Sequence, residues 1–192
     1  MRHDNFITQP RFVAIRTRGR IPHWQVDEAI YFVTFSLRDA VPVAAVRAIF
    51  QERENTMRSA QNSVERERID RALGLRFDQH FDEGGGSCLL RDHAELVANA
   101  LKFFDRTRYE LHAWCVMPNH VHTMLYLSLG AELPGIIHSW KSYIAHEINR
   151  GVIWQREYFD RIVRSPREFN ETRAYIRANP SKAGLPDWPW VG

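Results

Sequence analysis

The run Ile30-Tyr31-Phe32-Val33-Thr34-Phe35-Ser36-Leu37 is aromatic and β-branched, with polar residues entering at alternate places, and it predicts a strand over residues 30–37. The period then lengthens. Val46, Ile49, Phe50, Met57, Val64, Ile69 and Leu73 recur at helical spacing among arginines and glutamates. That pattern predicts a long helix over 43 to about 75 with a solvated face, interrupted near Gln61-Asn62-Ser63. Gly84-Gly85-Gly86 lacks the lysine and Ser/Thr of a phosphate-binding loop and reads as a connector. Leu96, Val97, Ala100, Leu101 and Phe104 predict a second amphipathic helix over 92–105, capped by Asp92.

Strands follow over 109–116 and 120–127, an antiparallel pair with Pro118-Asn119 at the break. A helix over 133–149 stops before Gly151. A short strand over 158–163 leads to a helix over 166–178, with Ser165 as its cap, Pro166 as its first residue and Pro180 as its terminator. The order β-α-β-β-α-β-α suits an α+β fold: a ferredoxin-like antiparallel sheet with helices on one face and a further helix at the C-terminal end.

With 192 residues, 44% of them hydrophobic, the chain can bury one core. We expect one domain over 25–192, with a helical insertion at about 43–90, preceded by a basic arm over 1–24. No run of about 18 apolar residues and no charged-then-apolar leader is present, which predicts a cytoplasmic protein and no membrane partner. Cys88 and Cys115 lack metal-type spacing and read as free thiols. A net charge of +3 is weak evidence for nucleic acid, but its distribution says more. Lysines are confined to Lys102, Lys141 and Lys182, so the positive charge is nearly all arginine, suited to bidentate phosphate contact and to stacking on bases. Residues 1–24 carry Arg2, Arg11, Arg16, Arg18 and Arg20 against Asp4, and read either as a solvated tail or as an arm along a phosphate backbone.

His120 and His122 are two apart on a strand, so they share a face and can grip one metal. Tyr175 and Asn179 are four apart on a helix, so a phenol and a carboxamide project together. An isolated His-x-His is more often one core histidine and one exposed histidine; the Met117-Pro118-Asn119 lead-in and the Tyr175/Asn179 pair tip the balance toward a site. Two imidazoles and an amide oxygen leave positions on a divalent ion for phosphate oxygens and water, which is a catalytic arrangement. Imidazole favours Mn2+ and abundance favours Mg2+, so both remain open. The histidines are expected to be exposed ligands that contribute little to packing. A free phenol ionises near pH 10, so forming the phenolate near pH 7 costs about 4 kcal/mol and requires assistance. Tyr143, with His146 three residues on, and Tyr158 are rival nucleophiles that read better as packing or DNA-contact residues. Lys141, Arg156, Arg161, Arg164 and Lys182 surround these motifs, interleaved with Trp140, Trp154 and Phe159. Cations for a backbone and rings for unpaired bases suit single strands and hairpin ends; the rings read equally well as core.

The blocks 111–122, 139–142, 154–161, 175–185 and 187–190, with the strand at 31–37, resemble in content and order the REP-associated tyrosine transposases, relatives of the single-strand HUH transposases. The resemblance implies the ferredoxin-like fold and Tyr175 as the nucleophile, within the pattern Tyr-Ile-x-x-Asn-Pro. It also implies His120, His122 and Asn179 as ligands of Mg2+ or Mn2+. Attack would give a 5′-phosphotyrosine bond and release a 3′ hydroxyl. The implied partner is single-stranded or hairpin DNA of REP-like repeats, handled by a monomer or homodimer in a bacterial nucleoid. Better-known HUH transposases place a glutamine where this chain has the shorter Asn179, which leaves direct ligation by Asn179 open. Two rival readings stand beside this one: a metal-dependent phosphodiesterase in which activated water attacks, and a non-catalytic DNA-binding relative.

Overall fold

The computed structural model describes residues 12–18, 21–26, 28–82 and 86–192. Its strands are β1 (Phe12–Arg18), β2 (Ile21–Val26), β3 (Ile30–Ser36), β4 (Tyr109–Val116), β5 (His120–Leu127) and β6 (Phe159–Val163). Its helices are α1 (Val43–Ser59), α2 (Ser63–Asp82), α3 (Ala94–Phe103), α4 (Leu133–Ile148) and α5 (Pro166–Lys182). Strands β3 to β6 form an antiparallel sheet in the order β4-β5-β3-β6. With α3 between β3 and β4, and α4 between β5 and β6, this is the ferredoxin-like arrangement expected from the sequence. β3 has a neighbour on both edges and every one of its residues is buried, which accounts for its aromatic and β-branched composition.

The two faces of the sheet are covered differently. On one face, Phe35 stacks on Trp140 of α4 at 6.1 Å, and the Trp140 indole donates to the Tyr109 hydroxyl, which donates in turn to the Leu101 carbonyl of α3. On the other face, Phe32 and His122 both lie against Tyr175 of α5. α2 reaches the same face, where Gly74 lets the Phe159 ring come close: a Cβ at position 74 would stand 3.0 Å from Phe159 Cζ.

Several boundaries differ from the sequence reading, each for a local reason. Part of the expected basic arm is the hairpin β1–β2, in which Arg16 pairs with His23 and Arg18 with Ile21; Arg20 and residues 1–11 lie outside the described residues. The long charged helix breaks at Ala60–Asn62, where the Asn62 side chain accepts the Glu65 N–H and caps α2, and α2 runs on to Asp82. Asp92 does not cap α3. It lies in the right-handed helical region at φ −83°, closing a short 3-10 turn at Leu89–Arg91, whereas a capping residue needs an extended backbone. α4 ends within a residue of the expected 149, but its left-handed cap is Asn149 and not Gly151: Asn149 adopts φ 53° and its N–H reaches the Ala145 and His146 carbonyls. Pro180 does not terminate α5, because it removes one donor from the last turn while Ala183 N–H to Asn179 and Leu185 N–H to Pro180 continue the ladder. Ser165 caps α5 as expected, accepting the Glu168 N–H at 3.1 Å. Cys88 and Cys115 form no disulfide. Gly86, at φ +95°, sits so close to the Asp39 carbonyl that a Cβ would meet it at 2.3 Å, and Gly84 and Gly85 lie outside the described residues.

Beyond α5 the chain returns along the free edge of β4. Val116 N–H donates to Trp190 and Trp114 pairs with Gly192 in both directions, while the Trp188 indole donates to the Val116 carbonyl at 2.6 Å. The edge of the sheet is thereby covered by the chain itself. No helix among the described residues is long and apolar enough to cross a membrane.

Candidate active site

His120 and His122 stand on the α5 face of β5, two residues apart, and both are buried, with 1% and 0% of their surface exposed. This corrects the expectation of exposed ligands: β5 is an interior strand, roofed at this point by α5 and by Phe81 of α2, whose ring lies 5.4 Å from that of His120. The two Nε2 atoms face each other at 3.0 Å. Each Nδ1 is held from behind. His120 Nδ1 donates to the Asn119 side-chain Oδ1 at 2.7 Å, which leaves its Nε2 unprotonated. His122 Nδ1 lies 2.8 Å from Thr34 Oγ1, a hydroxyl that can accept from a protonated Nδ1 or donate to a bare one. Burial holds both imidazoles neutral, lowering His122 from 6.5 to about 3 and His120 well below 6.5, with the neighbouring His122 as a second, smaller cause for His120.

Two facing nitrogens at this distance need either a shared proton or a cation between them. A divalent ion fits: nitrogens about 2.1 Å from one ion at right angles stand about 3 Å apart. The Asn119 and Thr34 contacts are the outer partners that commonly orient histidine ligands. Among the described residues no group of three His, Cys, Asp or Glu side chains gathers at one point. Asn179 is fully buried on α5, and its NH2 donates to the Tyr175 hydroxyl at 3.2 Å.

Tyr175 is half-buried, with its ring 5.5 Å from His122 and 6.2 Å from Phe32, both edge-on, and with the Lys182 ammonium 5.3 Å above it. Histidines, tyrosine and asparagine therefore meet on one face of the sheet. The rivals lie elsewhere. Tyr143 is 48% exposed on α4, and Tyr158 is buried under Lys141.

The candidate DNA contacts divide. Arg156, Arg164 and Lys182 are exposed. Lys141 turns inward: its ammonium donates to the Gln155 and Glu157 carbonyls and lies over the Phe35 and Tyr158 rings, and burial lowers its pKa from 10.5 to about 8. Arg161 also turns inward, over Phe32 and onto Glu168 and Thr172 of α5. Trp140 and Trp154 are buried, the latter donating to the Lys141 carbonyl, and Phe159 is core. Thr34, Asn119, Phe32, Phe81 and the Arg161–Glu168 pair were missed in the sequence. Two of them left a trace there: Asn119 in the lead-in to His120, and Thr34 as a hydroxyl in a mostly apolar strand.

The profile of the family described as Transposase IS200 like matches residues 91–179, just under half of the chain and the part that holds both histidines, Tyr175 and Asn179. A REP-associated tyrosine transposase of Escherichia coli (strain K12) is 28% identical over 112 residues, 54% of this chain and 67% of that relative. A solved structure of a REP-associated tyrosine transposase bound to a REP hairpin superposes with a TM-score of 0.58 at 20% identity, over 93% of this chain and 82% of that one. The structural likeness shows the shared fold.

Proposed function

We propose, from the match of residues 91–179 to the IS200-like transposase profile, that the chain is a DNA strand transferase that nicks and rejoins single-stranded, hairpin-forming repeats through Tyr175. One observation carries the reading: a tyrosine, an amide and two back-braced neutral histidines converge on one face of the sheet, from two elements distant in sequence. Tyr175 attacks the scissile phosphorus, the bond to the 3′ oxygen breaks so that the strand 5′ of the break leaves with a 3′ hydroxyl, and the strand 3′ of the break stays on the protein through its 5′ phosphate as a phosphotyrosine until the 3′ hydroxyl of a DNA end displaces the tyrosine. Asn179 holds the phenol through its NH2, and α5 keeps the ring in line. His120, His122 and Asn179 would hold Mg2+ or Mn2+, which supplies charge stabilisation at the phosphate oxygens.

Single-stranded or hairpin DNA is the proposed partner, met by Arg156, Arg164 and Lys182 near the site and by Arg16, Arg18 and Arg20 from the N-terminal segment. We treat 25–192 as one catalytic domain with an insertion over 43–90. Incubation with hairpin DNA labelled 3′ of the break and Mn2+ or Mg2+, followed by denaturing electrophoresis, tests the reading. A labelled protein band that chelator abolishes supports it. Free cleaved DNA without that band supports the hydrolytic reading, and binding without cleavage supports the non-catalytic one.

A further inference from the structure

Arg161 and Glu168 are both nearly buried, with 14% and 13% of their side chains exposed, and they form a direct ion pair between β6 and the first turn of α5. The same guanidinium donates to Thr172 Oγ1 at 2.9 Å, one helical turn further along. Glu168 is itself fixed: its N–H binds the Ser165 cap and its second carboxylate oxygen accepts the Arg164 N–H at 3.0 Å. Positions 168, 172, 175 and 179 fall on successive turns of one helical face, so a guanidinium gripping the first two sets the rotation of the helix that presents Tyr175 and Asn179. The flat side of Arg161 also lies 4.9 Å over the Phe32 ring. Phe32 stacks on His122 at 5.6 Å and meets the Tyr175 edge. One side chain thus touches both the helix that carries the nucleophile and the aromatic wall shared by nucleophile and histidine.

We infer that Arg161 is a positioning residue that aims Tyr175, acting through Glu168, Thr172 and Phe32, rather than a contact to the DNA backbone. The inference rests on the proposed role of Tyr175. A phosphate-binding arginine contributes mainly to affinity and to its salt dependence, whereas a positioning arginine contributes to the rate once DNA is bound.

The test uses the full chain with Arg161→Gln, Glu168→Gln, the double variant, Arg161→Lys and Thr172→Val. Hairpin affinity is measured across a salt series in chelator, and adduct formation in a single turnover at saturating DNA with Mn2+. Arg161→Gln and Glu168→Gln should each slow adduct formation by about 10- to 100-fold with affinity within about twofold and an unchanged salt slope, and the double variant should be no slower than the slower single. Thr172→Val should slow it by about two- to fivefold. If Arg161→Gln does not fold, Arg161→Lys takes its place, because it keeps the charge but loses the forked grip on two partners, and it should bind normally and react slowly. Weakened binding with a salt slope reduced by about one and a normal saturated rate would overturn the inference in favour of a phosphate contact. A readout that needs no chemistry separates this inference from the proposed function: 3-fluorotyrosine at position 175 should give a 19F line that shifts or broadens in Arg161→Gln and Glu168→Gln. An unmoved line overturns the positioning role, whereas a moved line in a chain whose native form makes no adduct upholds the positioning role and overturns the nucleophile.

Discussion

Phe32 and Phe35 stand three residues apart on β3, on opposite faces of the sheet, and their surroundings have little in common. Phe35 meets Trp140 and Trp154, and the polar atoms nearby, the Tyr109 hydroxyl and the Trp140 indole, are satisfied by each other and by a helix carbonyl. Phe32 meets His122, Tyr175 and Arg161, amid buried Thr34, His120 and Asn179. Burying groups of the second kind is costly unless each finds a partner, and burying rings of the first kind is a chief source of stability. The α3/α4 face therefore holds the fold, while the α5 face spends part of that stability on chemistry.

The sharpest way to break this comparison is to make the α5 face apolar. His120→Leu or His122→Leu keeps most of the volume and removes the ring nitrogens. Each should lower single-turnover cleavage by at least about a thousandfold, about 4 kcal/mol of barrier, while denaturant unfolding changes by less than about 2 kcal/mol. Cleavage within tenfold of native would remove the histidines from the site. The mirror-image change is Trp140→Ala, which should cost about 3–5 kcal/mol in urea unfolding and leave cleavage per folded molecule near native. A stable variant with lost activity would reverse the roles of the two faces.

Smaller effects refine the boundary between the faces. Lys141 is the ammonium buried on the stable side, with its pKa lowered from 10.5 to about 8 by burial. Between pH 8 and 10.5 the unfolded chain keeps this proton and the folded chain releases it, so native stability should rise across that window, by about 1–3 kcal/mol. Lys141→Met should lack that rise in parallel melts, and equal slopes in both proteins would show that the amine stays charged. Trp188→Phe removes the indole bond to Val116 and should cost about 1 kcal/mol. A loss above about 3 kcal/mol would mean that the C-terminal return is part of the core.

Legibility in the sequence followed the range of the interactions. The four strands of the sheet, the break at 60–62 and the Ser165 cap depend on neighbours within a few residues, and alternation or helical spacing carries them. His120 with His122, and Tyr175 with Asn179, were legible as pairs for the same reason; that the pairs meet came from the family resemblance, not from spacing. What escaped notice was set by contacts across the chain. Thr34 braces His122 from 88 positions away, Arg161 needs α5 folded back before it can reach Glu168 and Thr172, and Lys141 turns inward only because the 155–157 backbone passes over it. The proline rule failed at Pro180 because the chain beyond it is held by other bonds, Ala183 N–H to Asn179 and Leu185 N–H to Pro180, which the local sequence does not announce.

The central claim is that Tyr175 is the nucleophile, and peptide mapping of the protein–DNA adduct tests it most directly. With hairpin DNA labelled 3′ of the break, native protein, Tyr143→Phe and Tyr158→Phe should all carry the label on the α5 peptide, and DNA labelled 5′ of the break should leave with a 3′ hydroxyl. Tyr175→Phe loses one oxygen and little packing, so it should bind the hairpin and form no adduct. An adduct that persists in Tyr175→Phe, or that maps to the peptide of Tyr143, would contradict the account.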